Sequence, residues 1–420
     1  MGRRTEIDAV RGLMLVWMVA THLPTVLPNY TNQPFGFVSA SEGFIFLSAL
    51  FTGRIYFRLA QREGYAAMRA KLLLRTLRLY GYHALLLGFA FLVAVPIAAR
   101  GNRPQLYNLL DYYFAAGPKQ AVTEAFLLIY RPPLLDILPM YILFLLMTPL
   151  ILILARRFGW TPILAGSGTI YFLAHLGVRE AEHEFVSRVL GTHIPINEMG
   201  SFDLWAWQFL WILGLWCGVR WAQGNLPVEE WSRRVIIPAA IVVAVLLPLR
   251  YAVGRGVELG ALEPMFDKWH FGVVRLINFA AVAALLIRFQ ALMKPFAVRP
   301  LVMLGQASLQ VFCVHLLFTF AGLTLLGNAA MLSAWKQILL LAATLAGMLL
   351  TAKLFSKSEG KTEQKGDPDE SSRNTKAARN ETSTAVASLP AGQVTAEAAG
   401  AHASAVPGDT ETRLLYCNLK

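Results

Sequence analysis

Several long stretches of this chain are apolar on every side and lack the alternation of a half-buried strand: Ala84 to Ala99, Ile137 to Ala155, Val235 to Leu249 and Gln337 to Ala352. Each approaches the roughly 20 residues that carry a helix across a hydrocarbon core. Lipid offers no partners to backbone polar groups, so such runs are stable only as helices or closed barrels. Barrel strands alternate apolar with polar positions, which leaves helix. The pattern predicts an all-α, polytopic transmembrane bundle of about ten spans, over roughly 9–28, 36–58, 79–99, 134–155, 161–178, 203–221, 235–253, 271–291, 300–326 and 334–354. After about Ser356 the composition shifts to Lys, Glu, Ser, Thr, Ala and Gly, with almost no aromatic residues until Tyr416. Such a segment buries too little apolar surface to offset its ordering entropy. The expected organisation is a membrane domain over 1–355 and a disordered polar tail over 356–420, to which no chemistry is assigned.

Composition agrees with this pattern. Of 420 residues, 56% are hydrophobic and 15% charged, against about a quarter charged in soluble domains. A net charge of +12 raises nucleic acid as a partner until the charges are located. They cluster in alternate connections: Arg3, Arg4 and Arg11, then the run from Arg54 to Arg78, then Arg156 and Arg157, Arg233 and Arg234, and Arg288 to Arg299. The other connections mix Arg and Lys with Asp and Glu. By the positive-inside rule this is a topology signal, with both termini cytoplasmic in an inner membrane and no nucleic-acid partner. The first apolar stretch carries Arg11 and His22 and lacks a small-residue cleavage site, so it is expected to remain as the first span. Cys217, Cys313 and Cys417 lie far apart without a CxxC spacing, and predict neither a disulfide framework nor a metal site.

Ionisable residues inside a span are costly and mark chemistry by default. His22 lies about 16 Å along the first helix from Arg11, placing Arg11 near the cytoplasmic surface and His22 in the outer half. The bland reading is a snorkelling arginine and an interfacial histidine. Glu42, at the start of the second span, needs a cation, a proton or hydrogen-bond donors. It is read either as the carboxylate orienting a His22 base or as a cap on a helix starting after Ser39 or Ser41. Arg75 and Arg78 enter the third span together. They suit the phosphates of a nucleotide carrier, although most of the surrounding basic run is better read as a topology signal that touches anionic lipid. His315 falls at a depth similar to His22, which suggests one shared cavity. On the outer side, Asp136, His270 and Arg275 stand near aromatic rings, where they suit a sugar hydroxyl or an acidic acyl group as well as an interfacial belt. The chain has no Walker motif, GxSxG elbow, HExxH or dinucleotide fingerprint.

Arg11 and His22 stand in an Arg-x10-His arrangement that resembles the signature of integral-membrane acyltransferase family three. Phe44-Ile-Phe-Leu-Ser48 is similar to its Phe-Phe-x-x-Ser-Gly motif, and Arg75-x-x-Arg78 to its Arg-x-x-Arg. Leu304-Gly-x-x-Ser308-Leu-x-x-Phe312-x-x-His315 is similar to its late Gly-x-x-Ser-Leu-x-x-Tyr-x-x-His segment. Within that group the chain resembles OpgC-type proteins in Glu6-Ile-Asp8-x-x-Arg11-Gly-Leu, in Asp136-Ile-Leu-Pro139-Met-Tyr141 and from His270 to Phe279, over roughly residues 5 to 352. Ala49 stands where the family has Gly, and Phe312 where it has Tyr. The resemblance implies an acyl-coenzyme A donor, succinyl- or acetyl-coenzyme A, on the cytoplasmic side. It also implies a periplasmic glucan or other glycan as acceptor, and no tightly bound cofactor.

The expectation is therefore an O-acyltransferase. His22 acts as base or first receives the acyl group, Glu42 orients it, and His315 lines the cavity. Arg11, Arg75 and Arg78 hold donor phosphates, and Asp136, His270 and Arg275 bind substrate. A transporter or flippase of a small anionic or glycan substrate is the rival, and a membrane assembly component without chemistry is a third reading. Spans broken by Gly or Pro at a binding site would favour transport, and Pro139 and Pro149 fall inside a predicted span.

Overall fold

The computed structural model describes residues 5–101, 104–224, 233–326 and 333–365. The chain divides into a unit of Met1–Gly360 and a second of Lys361–Lys420, the latter described only to Lys365. Among the described residues the regular structure is helical throughout. Its principal helices are α1 (Thr5–His22), α2 (Ala40–Phe89), α3 (Ile137–Phe158), α4 (Trp160–Leu173), α5 (Leu204–Ala222), α6 (Arg233–Val253), α7 (Val273–Arg288), α8 (Arg299–Gln306), α9 (Ser308–Leu326) and α10 (Ala334–Lys365). Six segments are long and apolar enough to cross a membrane: Ala40–Arg100, Ile137–Phe158, Ile196–Ala222, Arg233–Val253, Ser308–Leu325 and Ala334–Phe355.

The expected ten spans differ from these six for local reasons. The predicted 36–58 and 79–99 fall in one helical run, and the basic connection expected between them is itself helical. That run is nonetheless a hairpin. Gly64 breaks it at φ 87°, ψ 167°, a region essentially reserved for glycine. Arg75 then reaches back to donate to Thr52 Oγ1 at 3.4 Å across 23 residues of sequence; a straight helix would hold them about 35 Å apart. Outside the six, α1 carries Glu6, Asp8 and Arg11 in its first turns, α4 has 14 residues and α7 has 16. The predicted span 300–326 is interrupted at Ala307 (φ −97°, ψ 34°), where α8 ends and α9 begins. At the other end, α10 continues to Lys365, past the 355 boundary drawn for the tail; the rest of the tail, 366–420, lies outside the described residues.

The packing is that of a protein in lipid. Trp207 and Trp211 of α5 are fully buried in the core, while Ile237, Ile241 and Val245 of α6, and Ile338, Leu339 and Leu350 of α10, face outward. Such continuous apolar exteriors belong against acyl chains. Helix α5 packs closely on α2: a side chain at Gly214 would meet the Cβ of Ala49 at 2.6 Å. The close approach that glycine provides in the family motif is thus supplied from the opposite helix, which accommodates Ala49.

Candidate active site

Helix α1 stops on His22 because Pro24 offers no N–H and disfavours helical geometry in the residue before it. Helix α9 restarts at Ser308, which brings His315 round on its second turn. There the two imidazoles meet: His22 Nδ1 and His315 Nε2 share a hydrogen bond of 3.1 Å, with ring centroids 5.4 Å apart and planes 18° from parallel. Phe312 stands edge-on to His315 at 4.9 Å and stacks on Phe44 at 5.9 Å. The tyrosine hydroxyl of the family motif is absent here, and the ring serves as an apolar wall for the histidine pair.

His22 and Phe312 line a cavity of about 290 Å³. Its other walls are the starts of four helical segments: Ser39 to Ser41 before and in α2, Asp136 and Ile137 at α3, Ser201 and Phe202 before α5, and Lys268 and Trp269 before α7. Helix N-termini carry partial positive charge, so the cavity receives several such ends together with the Lys268 ammonium. Asp136 brings a carboxylate to the same lining, its Oδ2 accepting the Ser201 N–H at 3.0 Å.

Glu42 does not meet His22. Its Oε1 accepts both Nε (3.1 Å) and Nη2 of Arg275. Its Oε2 accepts the Ser39 N–H at 2.9 Å and the hydroxyls of Ser39 and Ser41. With both oxygens committed, the expected carboxylate–imidazole contact is replaced by a capping box at the start of α2 and a fully buried ion pair. Arg275 is correspondingly withdrawn from the substrate-binding role expected of it, being 1% exposed and bonded to Glu42. His270 also lies outside the cavity lining and pairs with Asp267. That bond raises the His270 imidazole above its ordinary value, against the opposing effect of burial. Burial alone would raise the Asp267 carboxyl, yet the His270 ring and the amides of Trp269 and His270 hold it down at about 2. Of the three expected substrate residues, Asp136 alone reaches the cavity.

A second polar layer surrounds one turn of α2. Arg11 lies over the Phe51 ring at 5.2 Å and donates to Ser308. Arg75 donates to Thr52 and, at 2.8 Å, to Tyr141 Oη. Two arginines thus converge on neighbouring residues, whereas Arg78 points outward and is exposed. None of the three lines the cavity. The sequence offered Ser39 only as a helix cap, Lys268 only as one of several outer-side cations, and Tyr141 no role in the site. Ser39-x-x-Glu42 is a capping-box pattern, and Tyr141 ends the quoted segment that begins at Asp136, but nothing in the order of residues tells which of the loop residues Asp267 to His270 turns inward.

An all-helical bundle with an apolar exterior and a cavity that gathers His22, Asp136 and Lys268 defines a membrane protein with a candidate site among its helices. The family model described as OpgC protein matches residues 3–360, and the chain belongs to that family. No curated protein and no solved structure matches it. Family membership and the apolar helices together fit a membrane-associated, glucan-modifying transferase.

Proposed function

We propose that this protein is an inner-membrane O-acyltransferase that moves an acyl group, succinyl in the first instance, from cytoplasmic acyl-coenzyme A to a hydroxyl of a periplasmic glucan. The observation that carries the reading is the His22–His315 pair, whose His22 member lines the cavity, in a chain of the OpgC family. His22 Nδ1–H donates to His315 Nε2, which leaves His22 Nε2 unprotonated as general base. It takes the proton of the acceptor hydroxyl as that oxygen attacks the thioester carbonyl. The carbon–sulfur bond breaks, and the coenzyme A thiolate leaves with the proton returned by the imidazolium. His315 orients the base, the role that Glu42 was expected to fill, and Asp136 receives acceptor hydroxyls. Arg11 and Arg75 hold the donor phosphates, with Arg78 at their exposed edge.

Ten crossings with both termini cytoplasmic are part of the proposal. The end of α1 and the starts of α2, α3, α5 and α7 gather at one cavity, as required if all five lie on the periplasmic side. Arg11, Arg75 and the start of α9 belong to the opposite side in the same scheme. The test is His22→Ala: mass spectrometry of periplasmic glucans should show loss of the acyl mass, with expression and membrane insertion unchanged. Retained acylation would remove His22 from the mechanism.

A further inference from the structure

Lys268 differs from four arginines at the cavity end of the bundle. Arg275 is bonded to Glu42, Arg131 donates to the Leu128 carbonyl, Arg179 to the carbonyls of Ile196 and Gly200, and Arg250 to Gln33. The Lys268 ammonium, half-buried and lining the cavity, has no hydrogen-bond or ion-pair partner among the described residues. Its nearest interaction is with the neighbouring Trp269 ring, 4.6 Å from Nζ to centroid. Across the cavity, Asp136 is already held by the Ser201 amide, and Glu42 by Arg275 and Ser39. The cavity therefore presents an ammonium that no carboxylate of the described residues bonds directly, with Asp136 as the other ionisable side chain of the lining that carries a carboxylate.

The backbone that carries this lysine is pinned from several directions. The Trp269 carbonyl accepts the Asp203 N–H and the Trp207 indole N–H, each at 3.0 Å. Asp267 accepts the Trp269 N–H at 3.0 Å. The Phe271 carbonyl accepts the Tyr171 hydroxyl at 2.8 Å, and Phe271 itself is held at a positive φ of 49°. A turn fixed on two other helices, α4 and α5, and carrying an ammonium without a bonded partner is pre-organised for an anion rather than adventitiously charged.

We propose that Lys268 is the specificity-determining residue for the acyl group, pairing with a terminal carboxylate so that a dicarboxylic half-thioester is chosen over a neutral acyl chain of equal length. The inference rests on the acyl-transfer reading and extends it to the selection of donor. Burial pushes the Lys268 ammonium below the usual lysine value, and a desolvated cation of this kind gains most from meeting an anion.

The test uses the full-length protein in proteoliposomes with a neutral glucan acceptor, comparing succinyl- with butyryl-coenzyme A. Wild type should favour succinyl, and Lys268→Met should lower succinyl kcat/KM roughly 10- to 100-fold while leaving butyryl transfer unchanged or faster. Lys268→Arg should restore most of the preference. Equal loss with both donors would make Lys268 structural and overturn the proposal. So would a defect that follows the charge of the acceptor, seen by repeating the comparison with an already succinylated glucan. Transfer of neither acyl group by wild type would instead defeat the acyl-transfer reading itself, and the inference with it.

Discussion

Removing the Arg275 cation should expose how much of the fold depends on Glu42. Glu42 is 0% and Arg275 1% exposed, so neither charge can be hydrated when its partner is lost. Breaking a buried pair from one side costs about 3–5 kcal/mol, because the survivor remains charged in a poorly polarisable interior. Arg275→Met leaves Glu42 with its Ser39 donors alone, and Glu42→Gln leaves Arg275 facing a neutral amide. Each single variant should therefore lose about 3–5 kcal/mol, or two to four powers of ten in the folding equilibrium. The double variant Glu42→Gln/Arg275→Met has no charge to strand and should recover most of that loss, retaining a deficit of about 1–2 kcal/mol for the missing hydrogen bonds. Unfolding of the purified protein in detergent micelles, read as a double-mutant cycle, gives the coupling directly. Wild-type stability in either single variant, or a double variant no better than the worse single, would refute the ion pair as the element that fixes α7 to the start of α2.

Two further outcomes follow from local geometry. Gly64→Ala should destabilise by about 1–3 kcal/mol through backbone strain alone, since a Cβ there meets nothing within 4 Å; Gly81→Ala, in the same helix with equally open surroundings, should be neutral or stabilising, and thermal midpoints of the two variants test the contrast. The Asp267–His270 pair should contribute stability fully below about pH 6.5 that fades as pH rises through the elevated His270 value; its Asp267 part is complete above about pH 4 and fades as pH falls through about 2, so wild type should gain on Asp267→Asn between pH 9 and pH 6 in paired thermal scans, and a pH-independent difference would count against the pair.

Sequence reading recovered what lipid dictates and missed what distant contacts decide. Uncharged runs such as Ile137 to Ala155 announce helix because only helices and closed barrels satisfy the backbone in hydrocarbon, and these runs lack a barrel strand's alternation. The Gly64 hairpin was harder to see, because its flanking residues, from Arg58 to Lys71, are good helix formers and only one position departs from helical angles. In the site, the meeting of His22 with His315 was legible from two histidines at similar depth. The partner of Glu42 was not, since Arg275 lies 233 residues later and no periodicity links them; what the sequence did show was the cap at Ser39, which proved to be half of the carboxylate's environment. Lys268 was legible as a charge and not as a direction, because the bonds from Asp203, Trp207 and Tyr171 that aim its turn come from other helices.

The two imidazoles are joined across 293 residues, and this separation governs when the chamber can first exist. A ribosome delivering the helices in order inserts α1 long before α9 has been made. Until then His22 lacks its His315 partner, and a truncated or stalled product lacks the wall that Phe312 supplies; His315 itself stands behind His22, outside the lining where it was expected. The histidine pair is thus unassembled while the first helices are made, and is completed only when synthesis of the helical region is nearly over.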